Sequence, residues 1–196
     1  MPDPRRFNLK AWLLWTAGFL AFPIAGILAE ALTGRINDAS SALVGGMVAG
    51  AVIGTGQWLV ARRLLDAQTW IPATALAMGI GLAIGARVVG YGTSLGELVL
   101  MGAITGIPLG AAQAYLLRDR VANAWVWAAA VPLLWALGWT VSTFIGVDVD
   151  QQFAVFGASG AITFMALSGV LLDRLRAATT PAVPSLHPAR TKAMAH

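Results

Sequence analysis

Six long apolar runs, joined by short polar connections, constrain the fold of this chain more than any other feature of its sequence. An α-helix needs about 20 consecutive apolar residues to cross the hydrocarbon core of a bilayer. No connection is longer than about ten residues, which favours successive antiparallel hairpins. The sequence therefore predicts an all-α, polytopic transmembrane bundle of about six helices. The runs lie near residues 11–33, 41–61, 70–92, 97–117, 124–146 and 152–172.

The composition favours lipid, rather than water, as the surroundings of these runs. Apolar residues make up 58% of the chain and charged residues 11%, whereas soluble domains carry about 25% charged residues. The net charge of +4 would also suit nucleic-acid binding. However, the basic residues lie in short clusters between apolar runs instead of forming one patch. We therefore expect the lipid bilayer, and no nucleic acid, as a partner.

The positions of arginine and lysine predict the orientation of the chain. Basic residues collect on the cytoplasmic side of a membrane protein, and only Arg35 and Arg87 fall on the other side of the six runs. This bias predicts both termini in the cytoplasm, with residues 1–10 as a cytoplasmic N-terminus and residues 177–196 as a flexible cytoplasmic tail. The excess of arginine over lysine favours a bacterium, and hence its cytoplasmic (inner) membrane. The basic residues of the cytoplasmic side are Arg5, Arg6, Lys10, Arg62, Arg63, Arg118, Arg120, Arg174, Arg176, Arg190 and Lys192.

An internal repeat links the second and fourth runs. Each contains three glycines at four-residue spacing, followed by a glutamine and an arginine, at a constant offset of 56 residues. The sixth run is a weaker copy, with Gly157 and Ala161 at the same spacing. The pattern predicts three tandem, parallel repeats of two helices, near residues 11–66, 67–122 and 123–176. The matched residues are Gly46, Gly50, Gly54, Gln57 and Arg62 in the second run and Gly102, Gly106, Gly110, Gln113 and Arg118 in the fourth.

The repeated glycines and glutamines suggest specific roles. Rows of glycine let neighbouring helices approach closely, so we expect all six glycines to be helix-packing residues. Gln57 and Gln113 either form interhelical hydrogen bonds or line the path of a solute. Trp12 and Trp70 lie near the ends of runs, and we expect them to be anchors at the membrane surface.

Three ionisable residues lie within the runs or at their ends, where a charge is costly. Glu30, Arg87 and Glu97 should lie at similar depth near the outer surface, close to Tyr91. This outer polar cluster forms either an ion pair of Arg87 with one of the carboxylates or a polar pocket that opens outward. Both interpretations stay open at this point.

Few side chains are suited to catalysis or metal binding. The chain has no cysteine, and His187 and His196 lie in the C-terminal tail. A metal or haem held by histidines inside the membrane is therefore not expected. The segment 156–161 resembles the serine motif of rhomboid intramembrane proteases, but no membrane histidine is available to activate Ser159. We expect no enzyme activity, no catalytic residues, no cofactor and no metal.

The repeated hairpin resembles a loose set of uncharacterised bacterial multi-pass membrane proteins. The resemblance covers residues 41–145 and includes the tryptophan after Gln57 and the Leu-Gly-Trp sequence at 137–139. It implies no activity, so any prediction of function must come from the residues themselves.

Three functional hypotheses follow. The first is a non-enzymatic subunit or scaffold of a membrane assembly, with other membrane proteins or a second copy as partners. The second is a small-solute pore or carrier, or the substrate-capture component of an importer. The third is binding of a lipid, quinone or pigment. The sequence does not identify a small-molecule ligand.

Overall fold

The computed structural model describes residues 7–147 and 154–178, so most of the two predicted cytoplasmic segments, 1–10 and 177–196, lies outside the described residues. Within them, α1, a 3-10 turn and α2 are continuous and form one span, Leu9–Thr33. The described residues contain six spans long and apolar enough to cross a membrane, which confirms the all-helical, six-span prediction. The chain is an integral membrane protein. The elements are α1 (Leu9–Ala17), the 3-10 turn (Gly18–Leu20), α2 (Ala21–Thr33), α3 (Ala39–Ala61), α4 (Ala67–Val88), α5 (Leu95–Leu117), α6 (Trp125–Phe144) and α7 (Ala158–Ala177).

The sixth span begins later than the sequence predicted. The apolar run starts near residue 152, but α7 begins at Ala158, after Gly157 with an extended backbone. Val155 and Phe156 precede the helix and are nevertheless fully buried. Their apolar character therefore reflects a connection that packs into the bundle, and not a longer membrane-spanning helix.

A capping box sets the start of α3. The Asp38 carboxylate accepts hydrogen bonds from the backbone N–H groups of Ser40 and Ser41, and the Ser41 hydroxyl accepts from the Asp38 N–H. The Ser40 hydroxyl, with the Ser41 N–H, holds the pKa of Asp38 below its usual value. These bonds satisfy donors that the first turn of a helix leaves unpaired.

A glycine with positive φ follows the first, third and fifth spans. The φ angle is 65° at Gly34, 61° at Gly90 and 79° at Gly146. Glycine adopts this conformation without the steric cost that a Cβ atom brings, so each position ends its helix. The three glycines are 56 residues apart, the same offset as the two glycine rows.

The six spans form a closed ring. In the described part of the chain, each span packs against the spans before and after it, and α7 closes the ring against the first span. The most extensive contacts join α3 to α4 and α5 to α6. The contacts of α7 with α6 and with the first span are both less extensive.

The glycine rows of α3 and α5 lie at the two most extensive contacts. A Cβ atom built on Gly50 would lie 2.7 Å from the carbonyl oxygen of Thr74 in α4. One built on Gly110 would lie 2.8 Å from the carbonyl oxygen of Ala128 in α6. Favourable contacts between heavy atoms need about 3.5–4.0 Å. Glycine therefore allows the backbones to approach more closely than any other residue would permit.

Aromatic side chains fill the interior of the ring. One cluster joins the first, fifth and sixth spans and the connection before α7, with ring centroids between 4.7 and 6.3 Å apart. The arginine-rich end is the end of the bundle that carries Lys10, Arg62, Arg63, Arg118, Arg120, Arg174 and Arg176. Nearer this end, Trp15 and Trp127 meet edge to face at 6.1 Å. The clustered rings are Phe22, Trp135, Phe156 and Phe164, all at most 1% exposed.

We predict that Gly50→Ala and Gly110→Ala each destabilise the protein by about 1–3 kcal/mol, since the added methyl groups overlap the neighbouring backbone. Gly96→Ala is the control, because Gly96 lies in α5 with no other heavy atom within 4 Å of a Cβ at this position. It should be neutral or stabilising, by up to about 1 kcal/mol, owing to helix propensity. Reversible unfolding in mixed detergent–SDS micelles measures the difference. Equal stability of all three variants would contradict the close-approach account.

Candidate functional site

Two glutamines meet in the interior of the bundle. Gln57 on α3 and Gln113 on α5 are 1% and 0% exposed. The side-chain amide of Gln113 donates to the Gln57 carbonyl oxygen over 3.2 Å. Neither residue could satisfy its amide with lipid, so burial requires protein partners.

Three further side chains complete the buried polar cluster. The indole N–H of Trp70 donates to the Gln57 carbonyl oxygen at 3.1 Å. The indole N–H of Trp127 donates to the Gln113 carbonyl oxygen at 3.1 Å. The Gln113 amide also donates to the Thr74 hydroxyl oxygen at 3.3 Å. The cluster therefore connects α3, α4, α5 and α6.

The two tryptophans determine the orientation of the glutamine amides. An indole N–H can only donate a hydrogen bond. The carbonyl oxygens of Gln57 and Gln113 must therefore face Trp70 and Trp127, respectively. This arrangement leaves the NH₂ group of Gln113 directed at the other two acceptors, the Gln57 carbonyl and Thr74.

A third tryptophan makes a similar bond where the ring closes. The indole N–H of Trp15 donates to the Ser168 hydroxyl on α7 at 3.0 Å. The Trp12 indole, also on α1, donates to the carbonyl oxygen of Ala166 at 2.9 Å. Three buried tryptophans on the first, third and fifth spans thus each bind a polar side chain on a neighbouring even-numbered span.

The prediction that Trp70 is a surface anchor is wrong. Its side chain is 1% exposed and is bonded to Gln57. The sequence did not predict that Thr74, Trp127, Trp15 and Ser168 take part in these interactions. The spacing held a signal, because Trp70 follows Gln57 by 13 residues and Trp127 follows Gln113 by 14.

The outer polar cluster is not joined by ion pairs. Glu30 and Arg87 are exposed, and among the described residues neither Glu30 nor Glu97 forms an ion pair with Arg87. Glu97 instead accepts the backbone N–H of Ser94 at 2.9 Å and caps its own helix. Tyr91 is partly buried in the turn after α4, with a positive φ of 60°.

The buried cluster has a limited chemistry. Amides, indoles and a threonine hydroxyl neither gain nor lose protons near neutral pH, so they cannot act as general acids or bases there. Within residues 7–147 and 154–178, no group of three or more histidine, cysteine, aspartate or glutamate side chains could hold a metal ion. What the cluster offers is hydrogen bonding between four spans.

Comparison with protein-family models, curated proteins and solved structures finds no match to this chain. The geometry of the described residues is therefore the basis for any functional argument.

We predict an energetic coupling between the two glutamines. Gln57→Met and Gln113→Met should each destabilise the protein by about 1–3 kcal/mol, because each leaves a buried indole N–H without an acceptor. The double variant should lose less than the sum, by at least about 0.5 kcal/mol, since the two amides share a bond.

Gln68→Met is the matched control, because Gln68 is an exposed glutamine in the first turn of α4. Unfolding in mixed micelles gives all four free energies. Additive losses, or a loss at Gln68→Met equal to that at the buried glutamines, would contradict the coupled cluster.

Proposed function

We propose that this chain is a non-enzymatic subunit or scaffold of a membrane assembly. The observation that carries the proposal is the filled interior of the ring. Where the spans surround a common centre, aromatic rings meet and the polar groups bond to one another. Such a body is suited to holding a fixed shape within the bilayer.

The filled interior favours a structural role over that of a pore or carrier. A solute path needs a hydrated or polar lining that continues through the membrane. Here Trp15 on the first span and Trp127 on the fifth meet inside the ring, and both are at most 3% exposed. The two glutamines that could line a path are occupied by each other and by indoles.

The buried side chains also support a role without catalysis. A nucleophilic hydroxyl needs a neighbouring base or a lowered pKa. The hydroxyls of Ser142 and Ser159 are buried and have no hydrogen-bond partner among the described residues. No titratable group of the described part is buried beside them.

The glycine rows do not supply the surface for a partner, because they are used within the ring. A partner would therefore contact the aliphatic outer faces of the spans or the arginine-rich end. We place this end in the cytoplasm on the basis of the charge bias, and in a bacterium on the basis of the excess of arginine over lysine.

Thiol labelling tests the absence of a path. The natural chain has no cysteine, so Thr74→Cys and Gln113→Cys introduce single thiols into the buried cluster, with Gln68→Cys as the exposed control. A membrane-impermeant maleimide should label the control and leave both buried thiols unmodified in the folded protein. Rapid labelling of either buried thiol would favour a hydrated path and contradict the packed body.

Native purification tests the assembly. Extraction from the source membrane into lipid nanodiscs, followed by mass spectrometry, should recover partner proteins, or further copies of the chain, in constant stoichiometry. Repeated recovery of a lone monomer would refute the subunit role while leaving the labelling result unaffected.

A further inference from the structure

A cleft lies at the arginine-rich end of the bundle, where the first span, α3 and α7 meet. Its volume is about 610 Å³. Four cations and one carboxylate line it, so its charge is positive. These residues are Lys10, Arg62, Arg63, Arg176 and Asp173.

A second space shares a wall with the cleft. Beside the cleft, an apolar groove of about 480 Å³ runs between the first span and α3. Leu59 and Val60 line both the cleft and the groove, so one continues into the other. The groove opens towards the surrounding lipid, because Leu20, Ile24 and Leu59 on its edges are each more than half exposed.

Small side chains create the groove. Ala17, Ala21, Ala51, Thr55 and Gly56 line it. The two spans approach closely where Gly56 faces Ala21, and the short side chains leave the groove open beside that contact. The result is an apolar groove on the outer face of the bundle, with the positively charged cleft at one end.

The side chains of the four cations of the cleft are free of partners among residues 7–147 and 154–178. Within that part of the chain, no side chain of Lys10, Arg62, Arg63 or Arg176 forms an ion pair or hydrogen bond. Arg118, which matches Arg62 at the 56-residue offset, is engaged instead: it donates to the Tyr115 carbonyl oxygen and lies 3.4 Å from the Asp119 carboxylate.

The acidic residue of the cleft is partly occupied. The Asp173 carboxylate accepts the backbone N–H of Asn8 at 3.3 Å. Aromatic surface completes the site, because Trp12 and Trp15 also line the cleft. Both indole N–H groups already donate within the bundle, so the two rings contribute apolar surface beside the cations.

We infer that this cleft and groove bind an anionic phospholipid, with the phosphate group among the four cations and an acyl chain in the groove. Basic pockets between membrane helices bind anionic lipid headgroups. A free phosphate would occupy the cleft and leave the groove unexplained. A phospholipid has an anionic headgroup joined to an acyl chain, which matches a basic cleft that continues into an apolar groove. The headgroup lies where the first span, α3 and α7 meet.

Lipid titration followed by native mass spectrometry tests this inference. Phosphatidylglycerol and phosphatidylcholine of identical chains are added to the full-length protein in detergent, with inorganic phosphate as a separate arm. Phosphatidylglycerol should bind more tightly than phosphatidylcholine. Arg62→Gln/Arg63→Gln should weaken its binding about 10- to 30-fold, because two cations near the phosphate are lost.

Two further variants make the test specific. Arg118→Gln/Arg174→Gln removes the same charge from the same end of the bundle but outside the cleft, and it should change binding less than about twofold. Ala51→Leu fills the groove and should weaken phosphatidylglycerol binding while leaving the folded protein intact, as checked by circular dichroism. Inorganic phosphate should not displace the lipid.

Several outcomes would overturn the inference. They are equal binding of the two lipids, equal losses in the two arginine pairs, unchanged binding in Ala51→Leu, and displacement of the lipid by inorganic phosphate. Crosslinking of an Ala51→Cys variant to a second protein chain in native membranes would assign the groove to a protein and would also overturn it.

Discussion

The close approach of α3 to α4 and of α5 to α6 is the interaction on which the rest of the bundle depends. Lipid tails are as apolar as leucine side chains, so the burial of apolar surface alone provides little driving force for membrane helices to associate. Glycine rows supply the dispersion contacts instead. The approach also positions the polar cluster, because the indole-to-amide distances of 3.1 Å lie near the upper end of the ordinary range of about 2.7–3.2 Å. Bulkier residues would separate the helices beyond that range.

The sequence was sufficient to predict the six spans, because length and hydropathy are the properties on which a bilayer acts directly. The sequence was less informative about how each helix is rotated around its own axis. Arg87 and Glu97 were placed at similar depth, yet depth does not state which way a side chain points around its helix. Trp70 shows the same limit, since a tryptophan near a span end suits either the membrane surface or the interior. Phe156 was assigned to a helix because hydropathy does not distinguish a buried connection from a span.

The 56-residue offset organises more of the molecule than the glycine rows from which it was recognised. It separates the glycines that end the first, third and fifth spans, and nearly the same spacing separates the three buried tryptophans. A duplication as the origin of this pattern stays a prediction. The third unit departs from it, since the offset reaches Gly169 where the other two units carry a glutamine, and the neighbouring Ser168 accepts the indole N–H instead. Gly169 is also part of the lining of the basic cleft.

Closure of the ring has a consequence for biosynthesis. Trp15 and Ser168 are 153 residues apart, so the donor leaves the ribosome long before its acceptor. At a rate of synthesis of about 5–20 residues per second, many seconds pass between the first span and the sixth. During this time the Trp15 indole and the face of the first span that will contact α7 are uncovered in the bilayer. A chaperone or lipid that binds the incomplete protein would contact this face first. It would be released when α7 packs against the first span.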